Sequence, residues 1–240
     1  FGHPADMDPI MEFAREHKLK VIEDVSHAQG GLYKGRRLGT IGDVGAMSMM
    51  SGKSFAAGEM GMLVTNDREI FERSLAYAHY ERNDARFVTQ VESLKRYYNM
   101  PLGGMKGRVN QMCAAMGRVQ LKYYDERTAE IRRAMNFFWD RLEGVPGLRA
   151  VRVDEREGSN MAGWYCPHGV YRAEEVGGLD ERAICDAIAA EIDFRPSPGG
   201  NFPLHTHAIF QDFDRMGLGR PQRIAFAHRD VRELDKGLTP

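Results

Sequence analysis

Short apolar runs of strand length alternate with helical stretches through the first part of the chain, and this alternation limits the available folds more than any other feature. The runs "LKVIED", "VGAMSMM" and "GMLVTND" each span only a few residues and end in turn-forming or acidic positions. Before the first of them, "ADMDPIMEFAREHK" reads as a helix. Asp6 or Asp8 suits its cap, Pro9 its first turn, and Ile10, Phe13 and Ala14 form a short apolar stripe. After the third, "DREIFERSLAYAHYER" reads as a second helix capped by Asp67. Strands that alternate with helices in this way predict an α/β layered domain.

A long helical pattern follows from Val109 to about Leu142, with Met112, Ala115, Met116 and Val119 at helical spacing. Trp139, with Phe137 and Phe138, is expected to pack its end. Gly144, Pro146 and Gly147 then interrupt the chain and the texture changes. "LRAVRV" and "AGWYCPHGVYRA" read as strands, and "LDERAICDAIAAEI" as a capped helix. A domain change is therefore placed near residue 144, giving 1–143 and 144–240. Lys and Arg total 33 against 34 Asp and Glu, a net charge of -1, so no electrostatic footprint for nucleic acid or an anionic membrane is present. No apolar stretch reaches the roughly 18 residues of a spanning helix. The three cysteines are far apart and lack C-x-x-C spacing, which predicts free thiols and a cytoplasmic setting.

In a chain with 28% charged residues, Lys53 stands alone between Asp43 and Glu59, among Gly, Ala, Ser and Met. A solvated loop lysine is the ordinary reading. The sharper one is a Schiff-base lysine, because removing competing charge and water favours the neutral amine that attacks a carbonyl. A pyridoxal phosphate site also needs an acid for the pyridine nitrogen and donors for the phosphate. Asp24 ends the run "VIED", at the strand end where α/β sites are built. A carboxylate about 4 Å from that nitrogen contributes about 4 kcal/mol at an effective dielectric of 20, enough to hold it protonated. Ser48 and Ser51 lie on the approach to Lys53 as candidate phosphate donors.

The stretch from "FGHPADMDPIMEF" through "VIEDVSHAQGGLYKGRRLGTIGDVGAMSMMSGKSFAAGEMGMLVTND" resembles the DegT/StrS-type aminotransferases that aminate keto sugars and keto cyclitols. Its ED pair, its His three residues after the Asp, its Ser-containing strand and its K-x-x-x-x-GE carry the likeness. "PLGGMKGRVNQMCAAMGRVQL", "AGWYCPHGVY" and "NFPLHTHAIF" extend it over almost the whole chain. The resemblance implies a fold-type-I aminotransferase with pyridoxal 5′-phosphate as cofactor, acting as a homodimer with shared sites. It implies Lys53 as the lysine that bonds the cofactor and shuttles protons, and Asp24 as the partner of the pyridine nitrogen. It places His27 beside the phenolic oxygen, Ser48 on the phosphate, and Lys106 on the phosphate of the neighbouring subunit's cofactor. Arg108 fits a structural role as readily as a site role.

Met60 stands where the family has glycine, and Gly31 where it usually has alanine. Some relatives carry His in place of the lysine and dehydrate instead, so Lys53 favours transamination with glutamate or glutamine as donor. The resemblance also implies a phosphate-binding turn and a ring-stacking aromatic in a portion before Phe1. The chain is therefore expected to be an internal piece that does not turn over alone. A non-catalytic paralogue and a zinc-binding interaction module remain alternatives. For the latter, His205, His207, Cys166 and His168 lack the close spacing of a zinc site, and no metal is expected.

Overall fold

The computed structural model describes residues 1–79, 82–100, 102–199, 203–208, 214 and 217. The chain divides into two compact units, Phe1–Glu175 and Val176–Pro240. The first unit is built on α1 (Met7–Glu16) and a three-stranded sheet of β1 (Ile22–Asp24), β4 (Val44–Ser48) and β5 (Gly61–Val64) in the order β1-β4-β5. β1 and β4 run parallel with Asp24 beside Ala46, and β5 runs antiparallel to β4. A hairpin of β2 (Leu32–Tyr33) and β3 (Arg36–Arg37) lies between them in sequence. The helices α2 (Arg68–Ala78), α3 (Glu92–Lys95) and the long α4 (Gln111–Arg141) follow, then a two-stranded sheet of β6 (Leu148–Ala150) and β7 (Gly169–Tyr171). The second unit contains α5 (Glu181–Glu191), capped by the Asp180 side chain on the Arg182 N–H.

Neither Asp6 nor Asp8 caps α1, contrary to the expectation from sequence. Asp6 accepts a hydrogen bond from the Tyr33 hydroxyl, and Asp8 pairs with Lys34 and Arg36 of the hairpin. Tertiary partners thus draw both carboxylates away from the helix start. Asp67 does cap α2, accepting from the Glu69 and Ile70 N–H groups.

Among the described residues, three clusters form the core. Met49, Phe55, Ala57 and Tyr124 make one, Ala76, Val88 and Leu94 a second, and Trp139, Met161 and Trp164 a third. The long helix serves the first and third through Tyr124 and Trp139. The stripe Met112, Met116 and Val119 stands outward, while Gly117 and Tyr124 are buried. Gly117 faces Ala57, where an added Cβ would make an ordinary contact at 3.5 Å from the Ala57 Cβ. Phe137 and Phe138 are exposed, so Trp139 alone of the three packs the helix end.

The strand expected over "AGWYCPHGVYRA" is confined to Gly169–Tyr171. Ala162, Trp164 and Cys166 hold left-handed backbone, which no strand accommodates, and Met161 and Trp164 are pulled into the cluster around Trp139. The sequence boundary at residue 144 lies within the first compact unit. The terminal "DKGLTP" lies outside the described residues.

The two acids of the ED pair face opposite sides of β1, as strand alternation requires. Glu23 is buried and accepts from the N–H groups of Gly39, Ile41 and Gly42, each at 2.7 Å. Beside it, an added Cβ on Gly45 would stand 2.3 Å from the Gly39 carbonyl oxygen. Because that obstacle is backbone, Gly45→Ala is expected to destabilise the protein by about 2 kcal/mol or more. A fall in the urea midpoint at unchanged slope is the measurement that checks it.

Candidate active site

The opposite face of the same strand pair carries Asp24 and Ser48. Each is the last residue of its parallel strand, so both stand at the sheet's carboxyl edge. Ser26 joins them. Its Oγ accepts the Ser48 N–H at 3.0 Å and its hydroxyl donates to Asp24, whose Oδ1 also accepts the Ser26 N–H at 2.9 Å. These bonds from Ser26 hold the Asp24 carboxyl below its ordinary range, and the charges of His27 and Lys53 add to the effect. Partial burial opposes them without prevailing. Asp24 is therefore a firm carboxylate at neutral pH.

Lys53 follows β4 in a turn closed by its own N–H on the Met50 carbonyl at 2.9 Å. The turn is anchored at both ends. Met49 exchanges backbone bonds with Met60 and Ala57, and Phe55 and Ala57 are buried. Between these anchors the half-buried Lys53 side chain sets its Nζ 4.4 Å from the centroid of the Tyr165 ring. The His27 ring lies 4.3 Å from the same centroid. Burial pushes the His27 imidazole below its usual range. Lys53 pushes the same way, against Asp24. Asp24, His27 and Lys53 thus share one electrostatic neighbourhood.

A buried polar knot supports the turn from below. The Gln29 Nε2 donates to the Ser48 carbonyl at 2.5 Å, and its Oε1 accepts from the Ser54 hydroxyl at 3.0 Å. From α4, the Tyr124 hydroxyl donates to the Gln29 carbonyl at 2.9 Å and lies 3.1 Å from Ser54 Oγ. One phenol therefore ties the segment after Asp24 to the segment that presents Lys53. Tyr124→Phe leaves these buried groups short of a partner and is expected to cost about 1–2 kcal/mol. Chemical denaturation of the variant beside the wild type measures that loss.

Of the residues singled out from sequence, the structure gathers Asp24, His27, Ser48 and Lys53. Among the described residues, the Ser48 hydroxyl accepts from the Met50 N–H at 3.3 Å. Lys106 is exposed on the connection into α4. Sequence reasoning missed Ser26, Gln29, Tyr124 and Tyr165, and read Ser54 only as a small neighbour of Lys53 that leaves room for a planar cofactor. Ser26 and Gln29 sit close to flagged residues and were legible as neighbours. The two tyrosines come from distant segments and had no local signal. Among the described residues, no three His, Cys, Asp or Glu side chains converge as metal ligands would. Nor is any described helix long and apolar enough to cross a membrane.

The model of the DegT/DnrJ/EryC1/StrS aminotransferase family matches residues 1–215. Over 241 residues the chain is 35% identical to a GDP-perosamine synthase of Escherichia coli O157:H7, with 96% of the chain and 60% of that protein covered. An L-glutamine:2-deoxy-scyllo-inosose aminotransferase of Streptoalloteichus tenebrarius is 29% identical over 238 residues, covering 96% of the chain and 52% of that protein. A crystal structure of an aminotransferase from Psychrobacter cryohalolentis superposes with a TM-score of 0.55 at 32% identity, over 67% of this chain and 42% of that one. The chain thus spans little more than half the length of the curated relatives it matches.

Proposed function

The chain belongs to the DegT/DnrJ/EryC1/StrS aminotransferase family, and from that premise we propose that it supplies the lysine-bearing part of an enzyme that aminates a keto sugar or keto cyclitol. Glutamate or glutamine is the amino donor, and pyridoxal 5′-phosphate the cofactor. The observation that carries this reading is the convergence of Lys53 with Asp24 and His27 beyond the carboxyl ends of two parallel strands.

The donor set fits the cofactor chemically. A carboxylate, an amine, an imidazole and a hydroxyl lie in one neighbourhood, and each matches a different part of that molecule. When bound, the cofactor supplies a carbonyl that carries the amino group and a ring that accepts electrons. Asp24 would hold the ring nitrogen protonated, its own charge fixed by Ser26. His27 would stand beside the phenolic oxygen, and the Ser48 hydroxyl would donate to the phosphate. Lys53 would bond the cofactor at rest and then hold or move the proton at Nζ in both halves of the reaction. The anchored turn limits the arc that Nζ sweeps, which keeps it aligned for both transfers. Lys106 would serve the phosphate in a partner subunit, making the enzyme a homodimer in the cytoplasm. In the full-length protein, 1–143 would belong to the large cofactor domain and 144–240 to the smaller one.

The test is the visible spectrum of the full-length protein mixed with pyridoxal 5′-phosphate. A yellow band that fades on addition of L-glutamate or L-glutamine is expected. A spectrum unmoved by either donor overturns the reading.

A further inference from the structure

The segment from Gly158 to Cys166 forms a strap whose base is fixed to the β2–β3 hairpin. Gly35 N–H donates to the Gly158 carbonyl at 2.9 Å, Lys34 N–H to Ser159 Oγ at 2.9 Å, and Asn160 N–H to the Leu32 carbonyl at 2.9 Å. Asn160 Oδ1 then accepts the Ala162 N–H at 3.1 Å in a buried bond. Met161, Ala162 and Trp164 are all buried. Gly163 crosses so close to Ser54, in the Lys53 turn, that an added Cβ would stand 2.3 Å from the Ser54 Cβ.

Three non-glycine residues of this strap hold left-handed backbone: Ala162 at φ 48°, Trp164 at φ 48° and Cys166 at φ 47°. Two of them flank Tyr165 directly. Strain of this kind persists only where surrounding contacts over-determine it, and it gathers where a side chain must be aimed. The side chain it aims is the Tyr165 ring, which faces Lys53 Nζ and the His27 ring.

We propose that Tyr165 is a specificity residue for the keto acceptor, forming the wall against which a cyclic ketone lies when its carbonyl meets the amino group that the cofactor would carry beside Lys53. This rests on the aminotransferase reading above. A ketone held where Nζ can move the proton on its carbon would lie against the Tyr165 ring, whose centroid is 4.4 Å from Nζ. The ring offers a flat apolar face, which suits the C–H face of a sugar or cyclitol ring. The amino donor presents carboxylates instead, and those are recognised by guanidinium and ammonium groups rather than by an uncharged ring. Tyr165 therefore acts on the acceptor half and leaves the donor half alone.

The two halves are measured separately on full-length wild type, Tyr165→Ala and Tyr165→Phe. L-glutamate loads the amino group. Amino-loaded protein is then mixed with 2-deoxy-scyllo-inosose, and cofactor-loaded protein with GDP-perosamine for the reverse transfer. Tyr165→Ala is expected to lower kcat/KM for the cyclic substrate on the order of tenfold, mainly through KM. Loading by glutamate should stay within about twofold of wild type, and Tyr165→Phe, which keeps the ring, should resemble wild type in both halves. Equal losses in both halves, or no loss in either, overturn the proposal. A wild type that takes the amino group from glutamate yet exchanges it with neither cyclic substrate also overturns it, while the donor half of the aminotransferase reading stands. If neither L-glutamate nor L-glutamine loads the protein, the failure lies in that reading itself.

Discussion

Replacing Lys53 with alanine in the full-length protein is expected to lower amino transfer at least about a thousandfold, leaving the fold unchanged. Two roles disappear together in this variant. The amine that bonds the cofactor is lost, and so is the group that moves the proton, which alone contributes about 10²–10⁴ in such reactions. The side chain is half-buried above a turn anchored elsewhere, by Met49, Phe55 and Ala57, so its removal takes no support from the core. Thermal unfolding within about a degree of wild type would accompany the loss. Lys53→Arg should fare no better, because guanidinium stays protonated and does not attack a carbonyl. Activity in either variant within tenfold of wild type would remove Lys53 from the chemistry.

The largest loss of stability is expected at Glu72, far from that chemistry. Its side chain is wholly buried on α2, where it accepts from Arg68 Nε at 2.8 Å. It also accepts from the N–H groups of Thr89 at 2.9 Å, Gln90 at 3.0 Å and Val91 at 2.8 Å. One carboxylate thus closes the loop that leads into α3 and the cluster of Ala76, Val88 and Leu94. Glu72→Ala would strand three backbone donors, at a cost of about 3–5 kcal/mol, while Arg68, already exposed, keeps the Phe87 carbonyl. Burial alone would push this carboxyl up. The N–H groups of Thr89, Val91 and Gln90, together with Arg68, override that and hold it at about 2, against 4.5 for an ordinary glutamate. A carboxyl depressed in the folded state stabilises at every pH above its unfolded value. Its contribution is lost as pH falls from about 4.5 towards 2. Stability of the wild type should therefore decline across that window, and Glu72→Ala, already weakened at neutral pH, should decline less. Parallel curves for the two proteins would show that Glu72 is not the acid-sensitive link.

Local features were the ones legible in sequence. Asp67 and Asp180 cap α2 and α5 because a cap needs only the next two or three N–H groups, all fixed by chain adjacency. Lys53, Asp24, His27 and Ser48 converge because two short strands lie parallel and each site residue is at or just beyond a strand end. What sequence missed depended on partners far along the chain. Asp6 and Asp8 had the pattern of caps but were claimed by Tyr33, Lys34 and Arg36 of the hairpin. The period of α4 was plain, yet it carries two apolar stripes. The buried one was marked by Gly117 and Tyr124 rather than by the larger run Met112, Met116 and Val119. "AGWYCPHG" has the composition of a strand, but packing of Met161 and Trp164 on Trp139 bends it through left-handed turns. That bend brings Tyr165 to Lys53, so the missed strand and the missed tyrosine have one cause.

Lys53 is central to the chemistry only if it is the amine that bonds the cofactor. The direct measurement is borohydride reduction of the full-length protein with pyridoxal 5′-phosphate, followed by mass mapping of its peptides. The cofactor-derived mass should lie on the peptide carrying Lys53, at close to one per chain, and should be absent after prior treatment with L-glutamate. A stable adduct on Lys106, Lys34 or another lysine, with Lys53 unmodified, would contradict it.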